Sequence, residues 1–214
     1  MKYKYVLFDL DGTLTESAPG ITNAASYALK AFGIDMKPSE LEFFVGPPLQ
    51  GSFERCGLTG AQAREAIDVY REYYVAKGMF ENAPYAGVED MLRRLHEAGA
   101  ELIVATSKPE QFAVSILERF GLAAYFTVIA GSTLDETRTD KPDVIEYALA
   151  EAGVTDRSAA IMVGDRSYDV EGAKATGLAS MGVLYGYGAA KEFAEADHVA
   201  KTPSDIADIL LSAS

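Results

Sequence analysis

The chain has 214 residues, 49% of them hydrophobic and 24% charged, proportions that exclude disorder and collagen-like repeats. Its 32 acidic against 19 basic residues leave a net charge of −13, spread without a basic block. That field argues against nucleic-acid polymers and anionic membrane surfaces as partners, and one cysteine with two histidines can build neither a disulfide nor a Cys/His zinc cage.

Taken in chain order, Tyr3-Lys4-Tyr5-Val6-Leu7-Phe8 is a short apolar run that stops at Asp9-Leu10-Asp11-Gly12. This pattern predicts a buried strand ending in a functional loop. Residues 16–84 carry no strand signal. There Ser39…Glu42 and Thr59…Gln62 each match the capping-box pattern, and Ala63, Ala66, Ile67, Tyr70 and Tyr74 share one helical face. Gly46-Pro47-Pro48 predicts a tight break between two helices, because proline removes a donor and restricts its predecessor. From residue 85 onward helix and strand alternate. Val88, Met91, Leu92 and Leu95 form an apolar stripe closed by Gly99, and the strand-like Glu101-Leu102-Ile103-Val104-Ala105 follows. Phe112, Ile116 and Phe120 form the next stripe, then come Thr127-Val128-Ile129-Ala130 and a third stripe through Ile145, Leu149 and Ala152. Ala159-Ala160-Ile161-Met162-Val163 and the weaker Ser180-Met181-Gly182-Val183-Leu184 complete the strands. The alternation predicts an α/β fold with right-handed crossovers and a mainly parallel sheet, interrupted by a helical module after the first strand. No apolar run approaches the ~20 residues of a membrane span, and Met1-Lys2 leads straight into strand-like sequence. The expectation is a cytoplasmic protein, monomer or homodimer.

Ligands of open α/β sheets bind beyond the carboxyl ends of the strands, so the residues there carry the chemistry. Asp9 and Asp11 flank one residue and repel each other unless a cation or proton intervenes. Gly12 permits a tight turn whose amides face an anion. A capping Asp in a solvated turn is the structural alternative. Thr106 and Ser107 fit helix N-capping before Pro109, a role compatible with phosphate binding at a helix N-terminus. Lys141, before Pro142, puts a cation at a helix start, where the macrodipole opposes it by ~0.3–1 kcal/mol unless an anion offsets the cost. A lysine with its ammonium in water is the alternative there. Asp165 ends another strand, with Asp169 one helical turn later, and either can serve as a helix-start acid.

In combination, Asp9-Leu10-Asp11-Gly12-Thr13, Thr106 in Ala-Thr-Ser-Lys, Lys141 before Pro142, and Gly164-Asp165-Arg166-Ser167-Tyr168-Asp169 resemble the four motifs of the haloacid dehalogenase superfamily of aspartate-nucleophile phosphatases. The resemblance spans essentially the whole chain. It implies a Rossmann-like core of residues 1–15 and 85–214 with an inserted helical cap of residues 16–84. It implies Asp9 as nucleophile, Asp11 as general acid and base, and Mg²⁺ held by Asp9, Asp165 and the Asp11 carbonyl. Gly12, Thr106, Ser107 and Lys141 would hold the phosphoryl group, with Asp169 supporting the metal site from behind. Ser107 stands where relatives often carry Asn. The chain looks most like the phosphoglycolate phosphatase and 5′-nucleotidase-like branch, and Gly46-Pro47-Pro48-Leu49 with Ser52-Phe53 leans toward the latter. Gly46, Pro47 and Leu49 are therefore the expected substrate-specificity residues, and a small phosphorylated metabolite, a nucleoside 5′-monophosphate, the expected substrate. Phosphoglycolate is the alternative, and a non-catalytic phosphate-binding module the alternative from another class.

Overall fold

The first apolar run forms β1 (Tyr5–Phe8), whose Val6, Leu7 and Phe8 are fully buried. In the computed structural model, which describes residues 1–135 and 137–212, the chain then forms β2 (Thr15–Glu16), α1 (Ala18–Ala31), α2 (Leu49–Arg55), α3 (Gly60–Ala76) and β3 (Ala83–Pro84). Next come α4 (Val88–Glu97), β4 (Glu101–Pro109), α5 (Glu110–Arg119), β5 (Phe126–Ser132), α6 (Lys141–Glu151) and β6 (Ala160–Gly164). The chain continues through α7 (Ser167–Thr176), β7 (Ala179–Val183), β8 (His198–Ala200) and α8 (Pro203–Ser212). By contact the chain divides into two compact units, Met1–Thr15 with Pro84–Ser214, and Glu16–Ala83.

The first unit holds a six-stranded sheet in the order β5-β4-β1-β6-β7-β8, with every neighbouring pair parallel. The fold is Rossmann-like α/β, as expected. Phe8 pairs with Val104 on one side and Val163 on the other, so β1 lies where the strand order reverses. Beyond the carboxyl ends of such strands the loops diverge and leave a crevice. Val144, Ile145, Ala148 and Leu149 of α6, with Ala173 of α7, pack with Leu7, Ile103, Ala105 and Met162 of the sheet. All nine are buried, so the apolar stripes of the sequence form the core. Among the described residues, no helix is long and apolar enough to cross a membrane.

The second unit is helical. Its interior is a run of rings in which Phe44 and Phe53 lie 4.9 Å apart, Phe53 and Tyr70 6.3 Å, and Tyr70 and Tyr74 stack at 5.4 Å. Thr59 and Gln62 form the expected capping box at the start of α3: Gln62 Oε1 accepts from the Thr59 amide at 3.0 Å. The Ser39…Glu42 box does not form. Pro38 opens a 3₁₀ turn over Pro38–Glu40, and Glu40 accepts from the Lys37 amide at 2.8 Å, so the turn starts earlier than the pattern suggested.

In the first unit β4 also departs from expectation. It runs on to Pro109, and its register against β5 slips between Ala105 and Pro109. Pro109, not Thr106 or Ser107, occupies the cap position of α5. The irregular strand end turns Thr106 and Lys108 inward and leaves Ser107 exposed.

Candidate active site

The site residues of the first unit gather at the carboxyl ends of its strands: Asp9 and Asp165 directly follow β1 and β6, Thr106 lies near the end of β4, and Lys141 and Asp169 stand in the first turns of α6 and α7. Asp9 continues β1, its amide donating to the Val163 carbonyl at 2.9 Å. The chain then folds tightly: the Leu14 and Thr15 amides both donate to the Leu10 carbonyl, at 2.9 and 3.0 Å, and the Gly12 amide to the Thr15 carbonyl at 2.8 Å. Gly12 has φ +85°, and a Cβ there would fall 2.2 Å from Asp165 Oδ2. Only glycine meets both constraints.

Asp165 follows β6 and is fully buried. Its Oδ2 accepts from the Tyr187 amide at 2.7 Å, whereas its Oδ1 is buried without a hydrogen-bond partner. Asp169, in the first turn of α7, uses both oxygens: Oδ2 accepts from the Arg166 amide at 3.0 Å, and Oδ1 lies 2.8 Å from Lys141 Nζ. It is thus helix-start acid and site residue together. Lys141, the first residue of α6, is buried and also reaches Asp9 Oδ1 at 3.0 Å and the Ala105 carbonyl at 3.2 Å. Its three N–H bonds are matched by three acceptors, so the surface-lysine alternative is excluded. Gly172 makes room for this arm, since a Cβ there would meet Lys141 Cγ at 2.7 Å.

One ammonium thus faces three carboxylates in a buried space. Burial, with Asp169 and Asp9 adding repulsion, pushes the Asp165 carboxyl up to about 8. Burial also raises Asp169, although Lys141 pulls the other way. Burial opposes the Lys141 ammonium, but Asp169 and Asp9 outweigh it and hold the group charged. Asp9, Asp165 and Asp169 each offer an oxygen within 4.8 Å of the others'. Hard oxygen donors, surplus negative charge and the unpartnered Asp165 Oδ1 fit a divalent cation. Asp169 is already engaged through both oxygens, which leaves Asp9 and Asp165 as the carboxylates available to it.

Thr106 is buried, and its Oγ1 accepts from the Lys108 amide at 3.2 Å. Lys108, the last residue of Ala-Thr-Ser-Lys, carries no role in the motif, yet its ammonium lies 2.8 Å from Asp11 Oδ2, with both side chains largely buried. Arg55, in the second unit, lies over the Phe43 ring at 4.0 Å, and Arg64 is exposed. The glycine-rich turn after β7 matches no phosphate-loop spacing, yet it follows a strand and borders the site: Tyr187 and two of its glycines touch Asp165. Gly46, Pro47 and Leu49 belong to the second unit: Gly46 has φ +100°, Pro48 caps α2, and Leu49 opens it half-buried.

A parallel α/β sheet that gathers carboxylates, a hydroxyl and two lysines beyond its strand ends defines an enzyme built around an aspartate for anionic substrates. The chain belongs to the haloacid dehalogenase-like hydrolase family, whose model matches residues 6–183, and within it is a phosphatase. It is 41% identical over 194 residues to a 5′-nucleotidase of Pseudomonas aeruginosa, covering 90% of this chain and 87% of that one. It is 42% identical over 202 residues to the tyrosine-protein kinase PtkA of Mycobacterium tuberculosis, covering 94% of this chain and 67% of that one. The crystal structure of a predicted phosphatase from Clostridium acetobutylicum superposes with a TM-score of 0.93 at 46% identity, over 99% of both chains.

Proposed function

We propose that this chain is a Mg²⁺-dependent phosphomonoesterase acting through an aspartyl-phosphate on nucleoside 5′-monophosphates. The observation that carries the reading is the buried Asp9–Lys141–Asp169–Asp165 cluster, with one carboxylate oxygen left without a partner. Asp9 and Asp165, with the Asp11 carbonyl, would hold Mg²⁺, which when bound offsets the repulsion between a carboxylate and a phosphate dianion. Asp9 attacks phosphorus, and an Asp9 oxygen–phosphorus bond forms as the bond to the leaving oxygen breaks. Asp11 gives that oxygen a proton, then takes one from the water that attacks phosphorus and regenerates Asp9. Lys141, which meets Asp9 Oδ1, holds phosphoryl oxygens together with Thr106 and the turn at Gly12 as charge shifts among them. Ser107, beside Thr106, contributes from the solvent side. Asp169 positions Lys141.

We assign leaving-group selection to the helical unit, within cap boundaries of 16–84, and specifically to Gly46, Pro47 and Leu49. No Lys or Arg stands between residues 38 and 54, so that segment has no cation for a second anionic group such as the phosphoglycolate carboxylate. Apolar contact suits a flat, uncharged nucleoside better. The 5′-nucleotidase relative supports the same choice.

Phosphate release is to be measured on a panel of nucleoside 5′-monophosphates, phosphoglycolate and acetyl phosphate, with Mg²⁺ and after EDTA. Nucleotides are expected to lead, and chelation to abolish release. Phosphoglycolate ahead by tenfold, about 1.4 kcal/mol of transition-state preference, would reverse the substrate assignment. Activity that survives exhaustive chelation would remove the metal. Phosphoryl transfer to a tyrosine hydroxyl in place of water would favour the chemistry in the name of the kinase relative.

A further inference from the structure

The turn that follows β7, Leu184-Tyr185-Gly186-Tyr187-Gly188, has no role in the mechanism above, yet it touches both halves of the strand-end site. The Tyr187 amide donates to Asp165 Oδ2 at 2.7 Å. The Tyr185 hydroxyl donates to the Thr13 carbonyl at 2.8 Å, and its ring meets Tyr85 edge-on at 5.0 Å. Two glycines make this approach possible. A Cβ on Gly186 would fall 2.3 Å from the Gly12 carbonyl oxygen and 2.4 Å from Asp165 Cβ. On Gly188 it would fall 1.9 Å from the Asp165 carbonyl oxygen. Those obstacles are backbone and short, buried side chain, which cannot swing aside as the end of a long side chain can.

We infer that this turn is a positioning element for the cation site: it commits Asp165 Oδ2 to a backbone amide, so that Oδ1 is the oxygen presented to the metal. A carboxylate with both oxygens unheld rotates about its Cβ–Cγ bond and offers either. One short amide bond removes that freedom and leaves Oδ1, buried and unpartnered, in a fixed direction. The same turn ties down the Gly12-Thr13 corner through Tyr185, so that corner and Asp165 share one brace. Gly186 and Gly188 are required by closeness of approach, and Tyr185 by its hydroxyl. Tyr187 reaches Asp165 through its amide, while its ring packs against Gly12, where a Cβ would fall 2.7 Å from the ring Cδ2.

This inference rests on the reading of Asp165 as a metal ligand, and the experiment separates the two. Mg²⁺ affinity is to be measured by calorimetry on the wild-type chain, Gly186→Ala and Tyr185→Phe, together with the Tm of each metal-free protein. Gly186→Ala is expected to raise the Mg²⁺ Kd about tenfold or more, within the range seen when groups behind a metal ligand are altered. Tyr185→Phe keeps the ring and is expected to raise Kd severalfold. A purely structural turn would lower the metal-free Tm and leave Kd unchanged, and that result in folded Gly186→Ala overturns the inference. If Gly186→Ala does not fold, Tyr185→Phe decides alone, and an unchanged Kd there overturns it. Wild-type protein that binds no Mg²⁺ overturns the metal reading itself and this inference with it; wild-type binding with unaltered variants overturns the inference alone.

Discussion

The two units bury different chemistry. Among the described residues, every buried charged side chain (Asp9, Lys108, Lys141, Asp165 and Asp169) belongs to the sheet unit, in or just beyond the carboxyl ends of its strands or in the first turn of the helix that follows. The helical unit buries only hydroxyls among its fully covered polar residues, Ser17, Thr22, Ser26 and Ser52, around its aromatic interior. Burying charge costs stability unless each group is paired, and three carboxylates against one ammonium are not fully paired. Such an arrangement is kept where a reaction needs it. The aromatic interior of the other unit is ordinary packing, which supports a surface without committing to any chemistry.

The sharpest way to break this contrast is Asp9→Asn. Size and hydrogen bonding survive, but the attacking charge is lost, so turnover is expected to fall by at least ~10³-fold, about 4 kcal/mol of barrier. The metal-free Tm is expected to hold or rise, because the change removes one of three crowded carboxylates. A Tm that collapses along with turnover would mean that Asp9 is structural. Phe53→Ala in the helical unit should do the reverse. Phe53 is fully buried between Phe44 and Tyr70, and its truncation is expected to cost ~3–5 kcal/mol of stability. At temperatures where the variant remains folded, kcat on acetyl phosphate should stay within about twofold of wild type. Denaturant melts and that assay check both halves.

The contrast also explains how much was legible in the sequence. An apolar run that stops at Asp-x-Asp-Gly is a local signal, and so is a strand that stops at Gly-Asp, which is why β1, β6 and their acids could be placed. The Lys108–Asp11 ion pair joins residues 97 positions apart, and nothing local in Thr-Ser-Lys-Pro says which carboxylate the lysine meets. The Tyr187 contact is harder still, because a backbone amide looks the same beneath every residue. Two glycines spaced around it were the available signal, and they do not match any phosphate-loop spacing. The strand β8, His198-Val199-Ala200, is too short to show a period, so only its end position could be suspected. In the helical unit the Thr59 cap was legible and the Ser39 cap misplaced, since Pro38 starts its turn before the pattern does.

A smaller effect follows from the raised Asp165. Burial and its acidic neighbours lift this carboxyl to about 8 from an ordinary 3.8, so between those values the folded chain holds a proton that the unfolded chain releases. The stability this proton supplies is present at low pH and is lost as pH rises toward 8. The metal-free protein is therefore expected to lose several degrees of Tm from pH 5 to pH 8 through this group. Mg²⁺ must displace the proton, so the Tm gain on adding Mg²⁺ should grow over the same interval. A gain that is flat with pH would mean that the cation does not compete at Asp165.

The smallest expected effect tests whether the helical unit does more than pack. Leu49 opens α2 directly after Pro47-Pro48, and it is half-buried, so part of its side chain is available to a ligand. The two prolines and the positive φ of Gly46 fix the chain before it, so this surface loses little entropy on binding. If a nucleoside contacts Leu49, truncation to Ala removes roughly 40 Å² of apolar contact, about 1 kcal/mol, or about a fivefold loss in kcat/KM. Acetyl phosphate, which carries no base or sugar, should lose less than about twofold under the same change. The ratio of the two losses is the measurement, because a general disturbance of the helical unit would lower both together. Equal losses would move substrate selection to the sheet unit, where Lys108 beside Asp11 is the cation at hand for an anionic leaving group.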